Sequence, residues 1–85
     1  MIYCLAVFKS RTQTYEFIDH MTRSGISARA VNTPAEAHIG CGVSAEFYMG
    51  HRGFAQRVIS GYGLNGFLGF YRVERKGGRT FTTSV

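Results

Sequence analysis

Ile2-Tyr3-Cys4-Leu5-Ala6-Val7-Phe8-Lys9-Ser10-Arg11-Thr12-Gln13 decides the fold of this 85-residue chain. The run Ile2 to Phe8 is continuously apolar and contains Tyr, Val and Phe, which predicts a central strand covered by helices on one face. Ser10 followed three residues later by Gln13 reads as a capping box, so a helix starts directly after the strand. Thr14, Phe17, Ile18 and Met21 then recur at helical spacing until Gly25 supplies the stop, and a helix is expected over residues 11–24.

Working outward, Ile26, Ala28 and Ala30 alternate with Ser27, Arg29 and Val31, a second strand that Asn32-Thr33-Pro34 brings to an end. Residues 35–40 read as a connecting loop. The third strand, Val43 to Tyr48, places Val43, Ala45 and Phe47 on one face and Ser44, Glu46 and Tyr48 on the other. His51 to Ser60 carries Phe54 and Val58 at helical spacing and ends in Gly61-Tyr62-Gly63, and Phe67 to Arg75 forms a last strand before Gly77-Gly78. The order βαββαβ predicts an α+β, ferredoxin-like sandwich. Its four-stranded antiparallel sheet is expected in spatial order 4-1-3-2 with both helices on one face. The tail, residues 79–85, is rich in β-formers and is expected either to hairpin back on the last strand or to add an edge strand across a homodimer.

Size and composition set the frame. A chain this short is a single domain over residues 1–85, and its 45% hydrophobic content, with seven Phe and five Tyr, is enough to offset chain entropy and exclude intrinsic disorder. Two cysteines fall short of a disulfide-dense secreted scaffold. No basic residues precede the first apolar run and Lys9 cuts it short, so neither a signal peptide nor a membrane span is expected and the cytoplasm is the default location. The net charge of +5 comes mostly from eight arginines spread along the chain. Such a balance favours anionic partners in general and first of all solubility.

The expected topology brings the ends of strands one and two and the starts of strands three and four to one edge. Cys41, between Gly40 and Gly42, should therefore lie beside Lys9-Ser10-Arg11 at the start of the first helix, with Tyr62 and Leu64 on the same rim. Flanking glycines leave the sulfur bare of side-chain bulk and let backbone approach closely. A helix N-terminus and nearby cations favour thiolate over thiol. Cys4, early in the first strand, belongs toward the opposite edge and is expected as a buried structural thiol, too far from Cys41 for a disulfide.

Val7-Phe8-Lys9-Ser10, Gly25-Ile26 with Val31-Asn32-Thr33-Pro34, Gly40-Cys41-Gly42, and Phe70-Tyr71-Arg72-Val73 together resemble the selenium/sulfur carrier-like protein family. The resemblance spans nearly the whole chain. It implies that Cys41 is the acceptor cysteine and that Pro34 shapes its loop. Where the family pattern has a basic residue after the proline and serines ahead of the cysteine, this chain has Ala35, His38, Ile39 and Gly40.

The function expected is that of a carrier without turnover of its own, holding a persulfide or selenosulfide on Cys41 between a donor and an acceptor protein. Backbone N–H groups of Gly42 and Val43 and the charges of Lys9 and Arg11 would stabilise the terminal anion. No cofactor is called for, because the thiolate is itself the nucleophile in exchange at sulfur. His38 and Cys41, three apart, supply two ligands where zinc takes three or four, so no metal is expected. The alternative is an RNA-binding or regulatory interaction module on the same topology. Its aromatic motif is misplaced here: Gly66-Phe67-Leu68-Gly69-Phe70-Tyr71 lies on the last strand, and the third offers only Phe47 and Tyr48 near its end, so nucleic acid is not an expected partner. Phosphate-loop fingerprints are incomplete, and no histidine, carboxylate and nucleophile cluster to make a hydrolase.

Overall fold

The computed structural model describes every residue except Met1, Glu36, His38 and Ile39. Strand β1 (Ile2–Phe8) leads into helix α1 (Arg11–Arg23), strand β2 (Ala28–Asn32), strand β3 (Val43–Tyr48), a 3-10 turn (Met49–His51), helix α2 (Arg52–Gly61), strand β4 (Phe67–Lys76) and strand β5 (Arg79–Ser84). All neighbours in the sheet are antiparallel and the order is β2-β3-β1-β4-β5. The four-stranded sheet expected from the sequence is thereby corrected to five strands. Residues 79–85 turn back through Gly77 and Gly78, at φ +57° and +76°, and pair with β4 of the same chain from Lys76↔Arg79 to Tyr71↔Ser84. Two consecutive positive φ values give the tight hairpin whose twist matches its strands, and glycine adopts them at least cost.

α1 starts and stops where its residues dictate. The Ser10 hydroxyl accepts from the Gln13 amide at 3.0 Å. At the other end Ile26 N–H reaches Met21 O and Gly25 N–H reaches Thr22 O, both at 3.0 Å, with Gly25 at φ +84°. These two bonds satisfy carbonyls that the last turn would leave unpaired, in a Schellman motif. The reciprocal half of the expected capping box is not made. Instead the Gln13 side chain crosses to the loop ahead of β4, accepting from Gly66 N–H at 2.7 Å and donating to Asn65 Oδ1 at 3.0 Å.

Both helices cover one face of the sheet. Phe17 and Met21 from α1 and Ala55, Val58 and Ile59 from α2 close over Cys4, Ala6, Phe8, Ala45, Phe47 and Phe70. Five phenylalanines form a closed circuit there: Phe8–Phe17–Phe47–Phe70–Phe67 and back to Phe8, with centroid separations of 4.7–6.2 Å. Tilted and edge-on pairs at this spacing match ring edge to ring face and add to the area they bury.

The other face carries no helix, yet its centre is dry. Leu5, Val7 and Val73 are buried, with Val31 and Tyr71 against them. Ser44 and Glu46, on the face the alternation leaves to solvent, are buried as well. Ser44 shares a hydrogen bond with Thr33. Glu46 Oε1 accepts two bonds from Arg29, at 3.0 and 2.8 Å, while Oε2 accepts one from Arg75 at 2.7 Å. A buried carboxylate is tolerable only when so paired.

Candidate functional site

Phe8 ends β1, and its carbonyl accepts from the Cys41 amide at 3.3 Å. This bond ties the cysteine to the chain immediately ahead of α1. Gly40 makes the approach possible: it sits at φ +87°, and a Cβ built on it would lie 2.7 Å from Phe8 O and 2.8 Å from Val7 Cγ1. Gly42, at φ +90°, faces open space and is required only for its backbone conformation. From there Gly42 O accepts from Thr33 N–H at 2.9 Å, closing the loop that Pro34 opens, and Pro34 O accepts from Ala37 N–H at 3.0 Å.

Cys41 is a partly exposed residue and forms no disulfide with Cys4. Its thiol donates to Val43 O at 3.5 Å. Thr14 Oγ1, in the first turn of α1, lies 4.0 Å from the sulfur, and its one proton can go to Ser10 O at 3.1 Å or to Val43 O at 3.4 Å. Thr14 is fully buried. The sequence places it only in an apolar helical stripe, where a hydroxyl among Phe17, Ile18 and Met21 was the available signal that this position faces something polar. A hydroxyl proton can rotate between acceptors, so Thr14 can leave a backbone carbonyl and donate to sulfur once the thiol proton has gone.

The remaining candidate residues distribute around this centre. Ser10 spends its hydroxyl on the helix cap. Lys9 donates its amide to Gly66 O at 2.8 Å, and the side chains of Lys9 and Arg11 are exposed beside the opening turn. Neither is among the sulfur's hydrogen-bond partners, and from Val43 it is the carbonyl that touches the sulfur. Tyr62, expected at this rim, instead stacks on His20 in the last turn of α1 at 3.6 Å, and Leu64 is buried in the core. α1 runs away from the rim, so a partner in its last turn lies on the order of 13 Å from its start. His38 lies outside the described residues. Among the described residues no three His, Cys, Asp or Glu side chains gather as metal ligands.

Cys4 differs from Cys41 in its burial. It is fully buried on the helix-covered face, with Leu5 O 3.9 Å from its sulfur. Burial pushes its thiol up to about 12, against a weaker opposing pull from Arg52. A thiol so desolvated stays protonated near neutrality and is a poor nucleophile.

Among the described residues no helix is long and apolar enough to cross a membrane. A protein-family model described as "Putative Se/S carrier protein-like" matches residues 3–72, from β1 through the middle of β4, and so includes the Cys41 loop. No curated protein and no solved structure matches the chain. With most of its length matched, the chain belongs to the Se/S carrier protein-like family.

Proposed function

We propose that Cys41 carries a sulfane sulfur or zero-valent selenium atom between proteins. In the loading step the Cys41 thiolate attacks the outer sulfur of a donor's persulfide. The Cys41 Sγ–S bond forms, the donor's S–S bond breaks, and the donor cysteine leaves as thiolate with the bonding pair. The transferred atom keeps its oxidation state, so no external oxidant or reductant enters. Attack on that atom by an acceptor thiolate reverses the exchange and returns Cys41 as thiolate. With selenium the same exchange leaves a selenosulfide.

The observation that carries this reading is the partly exposed Cys41 beside the first turn of α1, flanked by Gly40 and Gly42 and with its sulfur 4.0 Å from the Thr14 hydroxyl. Family membership agrees with it. The helix N-terminus and the exposed Lys9 and Arg11 charges favour an anion at this edge, and backbone N–H groups at Gly42 and Val43 are available to a longer persulfide that reaches past Sγ. Two free thiols and a persulfide cargo suit a reducing compartment, the cytoplasm. The partners are then a donor and an acceptor protein, and the open edge of β5 offers a route to a homodimer.

Incubation with a cysteine desulfurase and cysteine, followed by mass spectrometry under non-reducing conditions, tests the proposal. The expected result is a mass gain of one sulfur on the peptide containing Cys41, absent in Cys41→Ser and retained in Cys4→Ala. A protein that gains no sulfur, or gains it on Cys4, refutes it.

A further inference from the structure

The helix-free face of the sheet has a composition unlike that of a passive surface. Tyr3 and Tyr48 stand directly opposite each other on β1 and β3, and Tyr71 on β4 opposes Leu5, two residues along from Tyr3. Strand alternation puts all three rings on the face that no helix covers. Tyr48 is 61% exposed, yet its ring is seated: Gly50 lies so close beneath it that a Cβ there would collide with the ring, and His51 meets it edge-on at 5.6 Å. Arg75 lies over the Tyr3 ring at 5.2 Å. A cavity of about 240 Å³ opens between Tyr3 and Tyr48, with Arg29 and Glu46 among its walls.

Charge on this face has one sign to offer. Glu46 is the acidic side chain that the described strands turn toward it, and both its oxygens are held by Arg29 and Arg75. Arg29 keeps N–H groups beyond the two it gives to Glu46, and it is 68% exposed. Seated aromatic rings at cross-strand spacing, with the exposed Arg29 guanidinium and Arg75 beside them, are what unstacked bases and their phosphates require.

We infer that the helix-free face, through Tyr3, Tyr48 and Tyr71 with Arg29 and Arg75, binds single-stranded nucleic acid. The sequence offers Phe47 and Tyr48 on the third strand and an aromatic motif through Tyr71 that is misplaced on the last. Sheet register brings the three tyrosines to one face, because Tyr3 and Tyr71 lie 45 and 23 residues from Tyr48 and meet it only in the folded chain. The activity is independent of Cys41, which sits at the far edge of the sheet, so its test stands or falls apart from the carrier proposal.

Fluorescence anisotropy with a labelled, short, mixed-sequence single-stranded RNA reads the binding directly. Tyr48→Ala is expected to weaken it about tenfold, the loss typical of one stacking ring, while Tyr48→Phe keeps the affinity. Arg29→Gln should weaken binding and flatten its dependence on salt, since a phosphate contact releases counterions. Arg57→Ala, on α2 and away from this face, and Cys41→Ser should leave the affinity within about twofold, a change too small to signal a lost stacking or phosphate contact. A duplex of the same sequence should compete poorly, because its bases are already stacked. Absence of binding overturns the inference. So does equal loss in Tyr48→Ala and Arg57→Ala, or competition by duplex as strong as by single strand.

Discussion

Gly40→Ala and Gly42→Ala look alike in sequence and should differ in outcome, because only one of the two glycines is pressed against another strand. Both sit in the left-handed region, at φ +87° and +90°, where a side chain costs about 1–2 kcal/mol through its clash with the neighbouring carbonyl. Nothing lies within 4 Å of a Cβ at Gly42, so the backbone strain is the whole cost there. At Gly40 the Cβ would meet Phe8 O at 2.7 Å and Val7 Cγ1 at 2.8 Å, both on a buried central strand. Val7 has no room to retreat, and overpacking of that kind adds about 1–3 kcal/mol. Gly40→Ala should therefore lose about 2–5 kcal/mol in urea unfolding, against about 1–2 for Gly42→Ala. For a domain this size, with total stability on the order of 4–13 kcal/mol, the first is a large fraction. The shift at Gly40 also works against the bond from Cys41 N–H to Phe8 O, so alkylation of Cys41 should change in Gly40→Ala more than in Gly42→Ala. Equal destabilisation by the two substitutions would show that the loop does not press on β1 as described, and the positioning argument for Cys41 would go with it.

Thr14→Val keeps the shape of a buried side chain and removes the hydroxyl beside the sulfur. Iodoacetamide should label Cys41 more slowly in this variant than in the wild type, with Thr14→Ser restoring the rate; an unchanged rate removes Thr14 from the site. Cys4 holds its proton in the fold up to about 12, while an unfolded chain gives it up near 9.0. A raised value means that Cys4 takes nothing from stability below the unfolded value and lowers it as pH climbs between the two, so urea midpoints should fall above pH ~9 less steeply in Cys4→Ala than in wild type. Arg29→Gln with Arg75→Gln leaves a buried carboxylate unpaired and should cost about 3–5 kcal/mol, whereas Glu46→Gln frees two arginines that already reach water and should cost clearly less. The reverse ranking in chemical denaturation would mean that Glu46 is hydrated. Gln13→Ala should cost about 1–3 kcal/mol by leaving the Gly66 amide unpaired, with loss of protection of that amide in hydrogen exchange as the signature.

The α+β class was legible because its signals are local. Ser10 caps a helix that Gly25 terminates, and the strand at Val43–Tyr48 is bounded by glycines and alternates in hydrophobicity between them. What the sequence left hidden depends on partners distant along the chain. Glu46 reads as a solvent-facing residue in an alternating strand, and only Arg29 and Arg75, 17 and 29 residues away, make its burial possible. Gln13 has the spacing of a capping box, yet a backbone amide 53 residues on competes for its carbonyl and wins. Tyr62 was misplaced for the same kind of reason, since a stack on His20 outweighs what its position in a turn suggests. The tail's strand character was visible while its partner was not, because β-formers state that an edge will be paired and not by whom.

These separate results share one physical division. The helix-covered face spends its side chains on a phenylalanine circuit, and burial there keeps the Cys4 thiol protonated near neutrality. The proposed chemistry uses the edge where β1 gives way to α1, because there the chain must turn and glycines on both sides of Cys41 keep side-chain bulk away from it. The inferred recognition uses the helix-free face, where arginines can reach both a buried carboxylate and the solvent. A partner that docked by covering the Cys41 edge would seal the sulfur from water during exchange while leaving the tyrosine face free. On the two proposals together, a chain this small would hold two ligands at once only because its sulfur and its aromatic face sit on different parts of one sheet.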